Sequence, residues 1–326
     1  MEAIWQDRYG GADTLTLRDA PTPVPGKDEV LVRVRAVSID LGTRHLMTGL
    51  PLVMRPVTGL RAPRLHVPGR ALAGVVDALG EGVTTFAPGE AVHGTAAGAL
   101  AELAVVPTKR LARKPASLDF TEAAAVPVSA PTALQGLRDV GRIEAGRSVL
   151  VIGASGGVGT YAVQLARALG AGRVDGVCSG AKADLVRSLG VDDVIDYARA
   201  EPGADGRRWD LVLDIAGNRP VTALRRLLTP HGTLVLVGGE AGGRWTGGMQ
   251  RQIGAVALSP FVRHRLAMYV ARENSRDLEV LGELADAGAL RSVVDGPYPF
   301  EEAARAISRL DAGQARGKIV VTVSGD

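Results

Sequence analysis

A single cysteine, Cys178, stands in a chain of 326 residues. That scarcity excludes a disulfide framework and points to a reducing, cytoplasmic setting. No apolar run approaches the roughly 20 residues that a bilayer-spanning helix needs, so no membrane partner is expected. The opening residues carry Glu2, Asp7 and Arg8 and enter a strand pattern at once, which is not how a secretory signal begins. Excess charge is also lacking. Lys+Arg 38 against Asp+Glu 35 leaves a formal net of +3, too little to imply a nucleic-acid partner. No internal repeat or low-complexity tract is found. What remains is ordinary for a globular enzyme, with 46% hydrophobic and 22% charged residues, and the length suggests two domains.

The most informative stretch runs from Val149 to Gly170. Val149-Leu150-Val151-Ile152 is short, apolar and β-branched, as a strand buried on both faces should be. Glycines follow, and then Val158, Ala162, Leu165 and Leu169 fall at helical spacing, with Gly170 closing the helix. Bare amides at a helix start suit a pyrophosphate, because unpaired N–H groups and the helix dipole both face the anion. Gly156 and Gly159 take the second and third glycine positions of the dinucleotide fingerprint, whereas Ala154 stands at the first. Further strands are expected at 174–178, 193–197, 209–214 and 232–239. Strands alternating with helices make an open parallel sheet with helices on both faces. The fold class is therefore α/β, a doubly wound domain that binds a nicotinamide dinucleotide; the alternative is another nucleotide or none.

The end of the second strand separates the two nicotinamide coenzymes. NAD binders place Asp or Glu there to grip the ribose 2′-hydroxyl. Here Cys178 and Ser179 occupy the place, with Lys182 just beyond and Tyr197 ending the next strand. A hydroxyl, an ammonium and a phenol can hold a 2′-phosphate, and no acid is expected to repel it. NADPH is the expected cofactor.

Before residue 122 the texture is all-β. Val30, Val32, Val34 and Ala36 alternate along residues 29–37, and further short strands are expected at 71–79, 89–94 and 99–106. An alanine-rich helix follows from Thr121, interrupted at Pro127 and Pro131. After about Pro260 a mixed tail carries helices at 275–287 and 301–310, a strand near Val293 and a last strand at 318–323. A terminal strand needs a sheet to join, and the N-terminal β region is its natural host. The expected division is 1–122 for the first part of the substrate domain, 123–262 for the cofactor domain and 263–326 for the return.

Several phrases together make the chain resemble the medium-chain dehydrogenase/reductase superfamily, in its zinc-independent quinone oxidoreductase (zeta-crystallin-like) branch. They are Pro68-Gly69 leading to Ala73-Gly74-Val75-Val76, LGEGVTTFAPGEAVHG at 79–94, AAAVPVSAPTALQGL at 123–137, GASGGVG at 153–159, LVRSLGVDDVIDY at 185–197, GTLVLVGG at 232–239 and ARGKIVV at 315–321. The resemblance implies a Rossmann sheet inserted into a GroES-like β-barrel, homodimerisation, and NADPH-dependent reduction of quinones or activated alkenes. It also implies that Ser155, Gly156, Gly157 and Val158 take the pyrophosphate and Ser179, Lys182 and Tyr197 the phosphorylated ribose. Asn218 would lie near a ribose, Thr132, Gly238 and Gly239 along the nicotinamide half, and Lys318 would also touch the cofactor.

Where zinc-dependent relatives carry their first ligand cysteine and their Gly-His-Glu, this chain has Asp40 and Gly69-Arg70-Ala71. One cysteine cannot build a four-coordinate zinc site of the usual kind, so no metal is expected. Quinone-reducing relatives usually carry Asn-Pro where Asp40-Leu41 stand here, and Asp where Ala71 stands. Asp40, Arg44 and His45 are the candidate catalytic residues, with His45 as proton donor and Arg44 as oxyanion partner; His66 and His93 are further candidate acids. The departures at Asp40 and Ala71 keep two other readings open, a non-redox step such as cyclisation or elimination, and a non-catalytic NADPH-binding regulator. Two stretches, 41–76 and 241–271, hold arginines and no acid. They are a solvated basic surface or an attraction for an anionic substrate; the third alternative, binding to a membrane surface, is disfavoured because Pro51, Pro56, Pro63 and Gly59 prevent a continuous amphipathic helix.

Overall fold

The computed structural model describes residues 1–238 and 243–323. The chain divides into two units, Met1–Pro131 with Glu273–Asp326, and Thr132–Arg272. In the first, β1 (Glu2–Trp5) and β2 (Thr16–Asp19) form an antiparallel pair. β3 (Glu29–Ile39) leads into α1 (Leu41–Thr48) and a short α2 (Arg55–Thr58). Then come β4 (Ala71–Leu79), β5 (Ala91–Thr95), β6 (Leu103–Pro107) and β7 (Leu111–Arg113), and α3 (Phe120–Gln135) crosses the division. The second unit alternates β8 (Ser148–Ile152), α4 (Gly157–Ala168), β9 (Arg173–Cys178), α5 (Ala183–Arg187), β10 (Asp193–Asp196), β11 (Trp209–Asp214), α6 (Val221–Arg225), β12 (Leu228–Leu236), α7 (Met249–Leu258) and β13 (Arg265–Met268). The return adds α8 (Ser275–Asp286), β14 (Val294–Pro299), α9 (Ala303–Asp311) and β15 (Lys318–Thr322).

The first unit is organised around β3. Its alternating Val30, Val32 and Val34 are fully buried and pack with Leu72, Val76, Val92, Val106 and Ile319, and Ala36 is fully buried as well. Each of the valines contributes about 2 kcal/mol by leaving water. β3 pairs antiparallel with β4, β6 and β15, so the last strand of the chain joins the N-terminal sheet. Asp40 ends β3 by capping α1: its Oδ1 accepts from the Thr43 N–H at 2.8 Å and satisfies one of the helix's orphan donors.

The second unit is a six-stranded sheet in the order β10-β9-β8-β11-β12-β13, every pair parallel. This is the order of a doubly wound dinucleotide fold, with its switch point between β8 and β11. β13 belongs to this sheet through its pairing with β12. That is why the second unit runs to Arg272 and not to the 262 read from the sequence: four residues without strong alternation form an edge strand that patterning passed over. At the other end the unit begins at Thr132, inside α3, where the sequence reading opens it at 123. The two ends of this unit are tied together. The Tyr269 hydroxyl donates to the Thr132 carbonyl. The Gln135 side chain donates to the Arg272 carbonyl at 2.8 Å and accepts from its N–H at 2.9 Å.

Candidate cofactor site and active-site residues

At the carboxyl end of β8 the chain must turn sharply into α4. Gly153 makes the turn at φ +91°, a conformation that favours glycine. The tight-turn duty of the fingerprint's first glycine thus falls one residue before Ala154, which is buried instead. Gly159 has no room for a side chain, since a Cβ there would lie 2.1 Å from the Gly153 carbonyl oxygen. It lets α4 pack onto its strand. Gly156 has only that carbonyl near its would-be Cβ, at 3.5 Å, so the backbone before α4 stays open to a ligand. The first-turn amides, Gly157 and Val158 among them, have no intrahelical acceptor.

A cavity of about 280 Å³ lies at this edge, lined at the ends of β8, β9 and β11. Ser155, Ser179, Lys182, Tyr197 and Asn218, five residues singled out from the sequence, share it. Cys178 lines it as well, its thiol pushed up by burial and by the nearby Asp196 carboxylate. One expectation is corrected. Glu201 also lines the cavity, so the pocket is not free of carboxylates. Its side chain is ion-paired with Arg219, a further lining residue. Both come from loops after β10 and β11. A rule that looks for an acid at the end of the second strand cannot find them.

A second set of residues holds the neighbouring turn. Asp214, fully buried at the end of β11, is ion-paired with Arg251 of α7 and accepts from the Gly217 N–H at 3.3 Å. Burial pushes its carboxyl up, and the Arg251 guanidinium opposes that shift. Arg251 also donates to the Arg219 carbonyl at 2.9 Å and to the Gly238 carbonyl at 3.4 Å. Gln252 donates to the Gly238 carbonyl as well, at 3.2 Å. Gly238 lies against β11, where a Cβ would sit 1.9 Å from the Ile215 carbonyl oxygen. Gly239 lies outside the described residues. The carboxylate at the end of β11 and the arginine within an acid-free stretch were visible in the sequence, but nothing there joined them.

Asp40, Arg44, His45 and Lys318 belong to the first unit. Asp40 is engaged through Oδ1 with Thr43, and its Oδ2 is buried without a hydrogen-bond partner. Lys318 is fully buried on β15; burial lowers its pKa, and the Asp40 charge pulls the other way. Arg44 donates from Nε to Asp311 of α9 at 2.5 Å. His45 has a buried Nδ1 with no partner. His66 stacks on Trp5 at 4.8 Å. His93 is buried on β5 with Nδ1 3.3 Å from the Ala123 carbonyl, and burial pushes its pKa down to about 4. It is neutral at physiological pH, and the one N–H it keeps faces the Ala123 carbonyl, so it is poorly suited as an acid.

Arg70 pairs with Glu273, which also takes Arg110 at 3.3 Å and the Thr95 hydroxyl at 2.9 Å. Arg55 lies over the Tyr9 ring at 4.7 Å. Much of the basic charge in the acid-free stretches is thus matched by acids or an aromatic face far away in sequence. No group of three His, Cys, Asp or Glu residues able to hold a metal occurs among the described residues, and no helix among them is long and apolar enough to cross a membrane.

Comparison with known proteins agrees with this architecture. Residues 26–116 match the model of the alcohol dehydrogenase GroES-like domain, and residues 189–321 that of the zinc-binding dehydrogenase family. A chloroplastic quinone-oxidoreductase of Triphysaria versicolor is 31% identical, with 98% of each chain covered. A chloroplastic NADPH-dependent alkenal/one oxidoreductase of Arabidopsis thaliana is also 31% identical, over 98% of this chain and 79% of that one. Among solved structures, the quinone oxidoreductase of Coxiella burnetii superposes with a TM-score of 0.84 at 26% identity, covering 99% of both chains. A mycobacterial protein solved in complex with NADPH gives 0.84 at 27% identity, over 99% of this chain and 100% of that one. The fold and the site define an oxidoreductase with a GroES-like domain and a Rossmann sheet. The chain belongs to the medium-chain dehydrogenase/reductase superfamily, with the quinone oxidoreductases.

Proposed function

We propose that this protein reduces quinones or α,β-unsaturated carbonyl compounds with NADPH and without a metal ion. The observation that carries the cofactor choice is the cavity past β9, where Ser179, Lys182 and Tyr197 stand together in the place where an NAD binder keeps a ribose-gripping acid. The open backbone at Gly156 and the unpaired first-turn amides of α4 fit a pyrophosphate held by Ser155, Gly156, Gly157 and Val158. Asn218 would take a ribose hydroxyl, Thr132, Gly238 and Gly239 the nicotinamide half, and Lys318 would also touch the cofactor. When bound, the cofactor supplies a hydride, and the protein's part is to orient it and keep water away.

Reduction of an enone or quinone leaves charge on the substrate oxygen, which needs donors and then a proton. His45, with its unpartnered Nδ1, is the candidate proton donor. Arg44, to act on the oxygen, must share its guanidinium with Asp311. Asp40 is the third candidate, and its cap on α1 fixes the helix that carries the other two. Zinc lacks suitable donors. A carboxylate and a guanidinium replace the thiolate and imidazole, and Arg70 is already engaged with Glu273. A homodimer is proposed on resemblance, and a cytoplasmic setting on the lone cysteine.

The test is to follow reduced nicotinamide absorbance while NADPH is offered with a panel of quinones and enones, with and without a chelator. Oxidation that needs substrate, prefers NADPH over NADH and ignores the chelator is expected. Product without loss of NADPH would mean a non-redox step, and binding without any product would mean a regulator.

A further inference from the structure

The cavity's unforeseen pair, Glu201 and Arg219, has a consequence for coenzyme choice. We infer that this ion pair is a discriminating switch, in which Arg219 exchanges the Glu201 carboxylate for the 2′-phosphate of the bound dinucleotide. The inference rests on the proposed NADPH reading and adds to it the two residues that set the preference.

The two partners are unequally placed. Arg219 is 20% exposed and Glu201 71%. An exposed carboxylate holds its partner weakly, because solvent and salt screen the pair. The base of Arg219 is fixed. Its carbonyl accepts from Arg251, and Pro220 follows it at the start of α6. Glu201 lies on the loop after β10, followed by Pro202 and by Gly203 at φ +74°. Its carbonyl also accepts from the Ala204 N–H at 3.1 Å, so both backbones are held, and the exposed Glu201 side chain is the partner free to swing away.

It also has somewhere to go. The pair forms the wall between the cofactor cavity and a second cavity of about 260 Å³, and that second cavity is lined by Arg208 and Arg226 as well as by Glu201 and Arg219. A carboxylate swung to that side finds guanidinium groups to replace the one it gives up. On the cofactor side, Lys182 is the other cation lining the cavity among the described residues. A phosphate dianion entering it would gain Lys182 and, once Glu201 turns away, a planar guanidinium matched to its oxygens. A coenzyme with a bare 2′-hydroxyl has no charge to draw Arg219 off. Glu201 would then stay and accept from that hydroxyl.

The test titrates the full chain with NADPH and NADH by nicotinamide fluorescence, and with adenosine 2′,5′-bisphosphate and AMP as probes of the adenosine end alone. Arg219→Leu should lower the NADPH:NADH affinity ratio about tenfold by removing a charge-assisted hydrogen bond. Arg219→Lys should retain most of the ratio, and unliganded melting should be unchanged in both. Glu201→Gln should raise the ratio about threefold, the two fragments following the same pattern. If both Arg219→Leu and Glu201→Gln leave the ratio unchanged while Lys182→Ala lowers it, the pair is only a surface contact and the switch is refuted. If Lys182→Ala leaves the ratio unchanged as well, the NADPH reading falls with it.

Discussion

The two units treat their polar candidates in opposite ways. In the second, Ser155, Ser179, Lys182, Tyr197 and Asn218 come from separate loops and converge on one cavity. In the first, the candidates are largely occupied by the fold. Asp40 caps α1 and stands near buried Lys318, Arg44 holds Asp311, and His93 sits neutral against α3. A parallel sheet explains the contrast. It aligns the ends of its strands on one edge and leaves their loops free to bind. An antiparallel sheet with a buried face presses its polar residues into service as caps and pairs. Substitutions should accordingly cost stability in the first unit and binding in the second.

One test is Asp40→Asn. It keeps an acceptor for Thr43 but removes the Asp40 charge that favours a protonated Lys318; no hydrogen bond or ion pair joins the two, so a urea melt should show a loss of about 1 kcal/mol. An unchanged melt would break the comparison. Next is acid sensitivity through His93. Its folded pKa, about 4, lies below the ordinary value of about 6.5, so the unfolded chain binds the proton more readily. Its contribution is complete above the unfolded value and is lost as pH falls from there towards 4. The limit is about 3 kcal/mol. Melts at pH 7 and pH 4.5 should therefore diverge more in the natural protein than in His93→Gln.

In the second unit, Lys182→Ala should weaken NADPH about tenfold, while unliganded stability stays within about 0.5 kcal/mol. Loss of stability there, with binding intact, would reverse the assignment. Smallest is Arg44→Ala. Its pair with Asp311 is partly exposed on both sides, so less than about 1 kcal/mol should be lost on melting.

The parallel sheet was legible because its strands are buried runs closed by glycine, and because a fingerprint fixes the turn at Gly156 and Gly159. The joining of the last strand to the first sheet could also be read, since a terminal strand at 318–323 needs a sheet and the N-terminal β region is its natural host; its parallel pairing with β14 could not. β13 escaped notice because Arg265-Leu-Ala-Met268 has neither alternation nor a glycine stop. Glu201 and Arg219 escaped for a different reason: they lie in loops whose course depends on packing, and 18 residues separate them. Charge matching across such distances is invisible to any local rule. The same limit applies to Arg70 with Glu273 and to Arg251 with Asp214.

The hydrogen bonds joining Thr132 to Tyr269 and Gln135 to Arg272 bear on how the molecule can be assembled. An inserted unit whose beginning and end are fastened to each other acts, for the chain around it, as a short bridge and not as a long slack loop. Loop-closure entropy rises only about 0.6 kcal/mol for each doubling of length, but a prefolded insert removes even that. The first sheet can then recruit β15 from the far end of the polypeptide as readily as from a nearby hairpin.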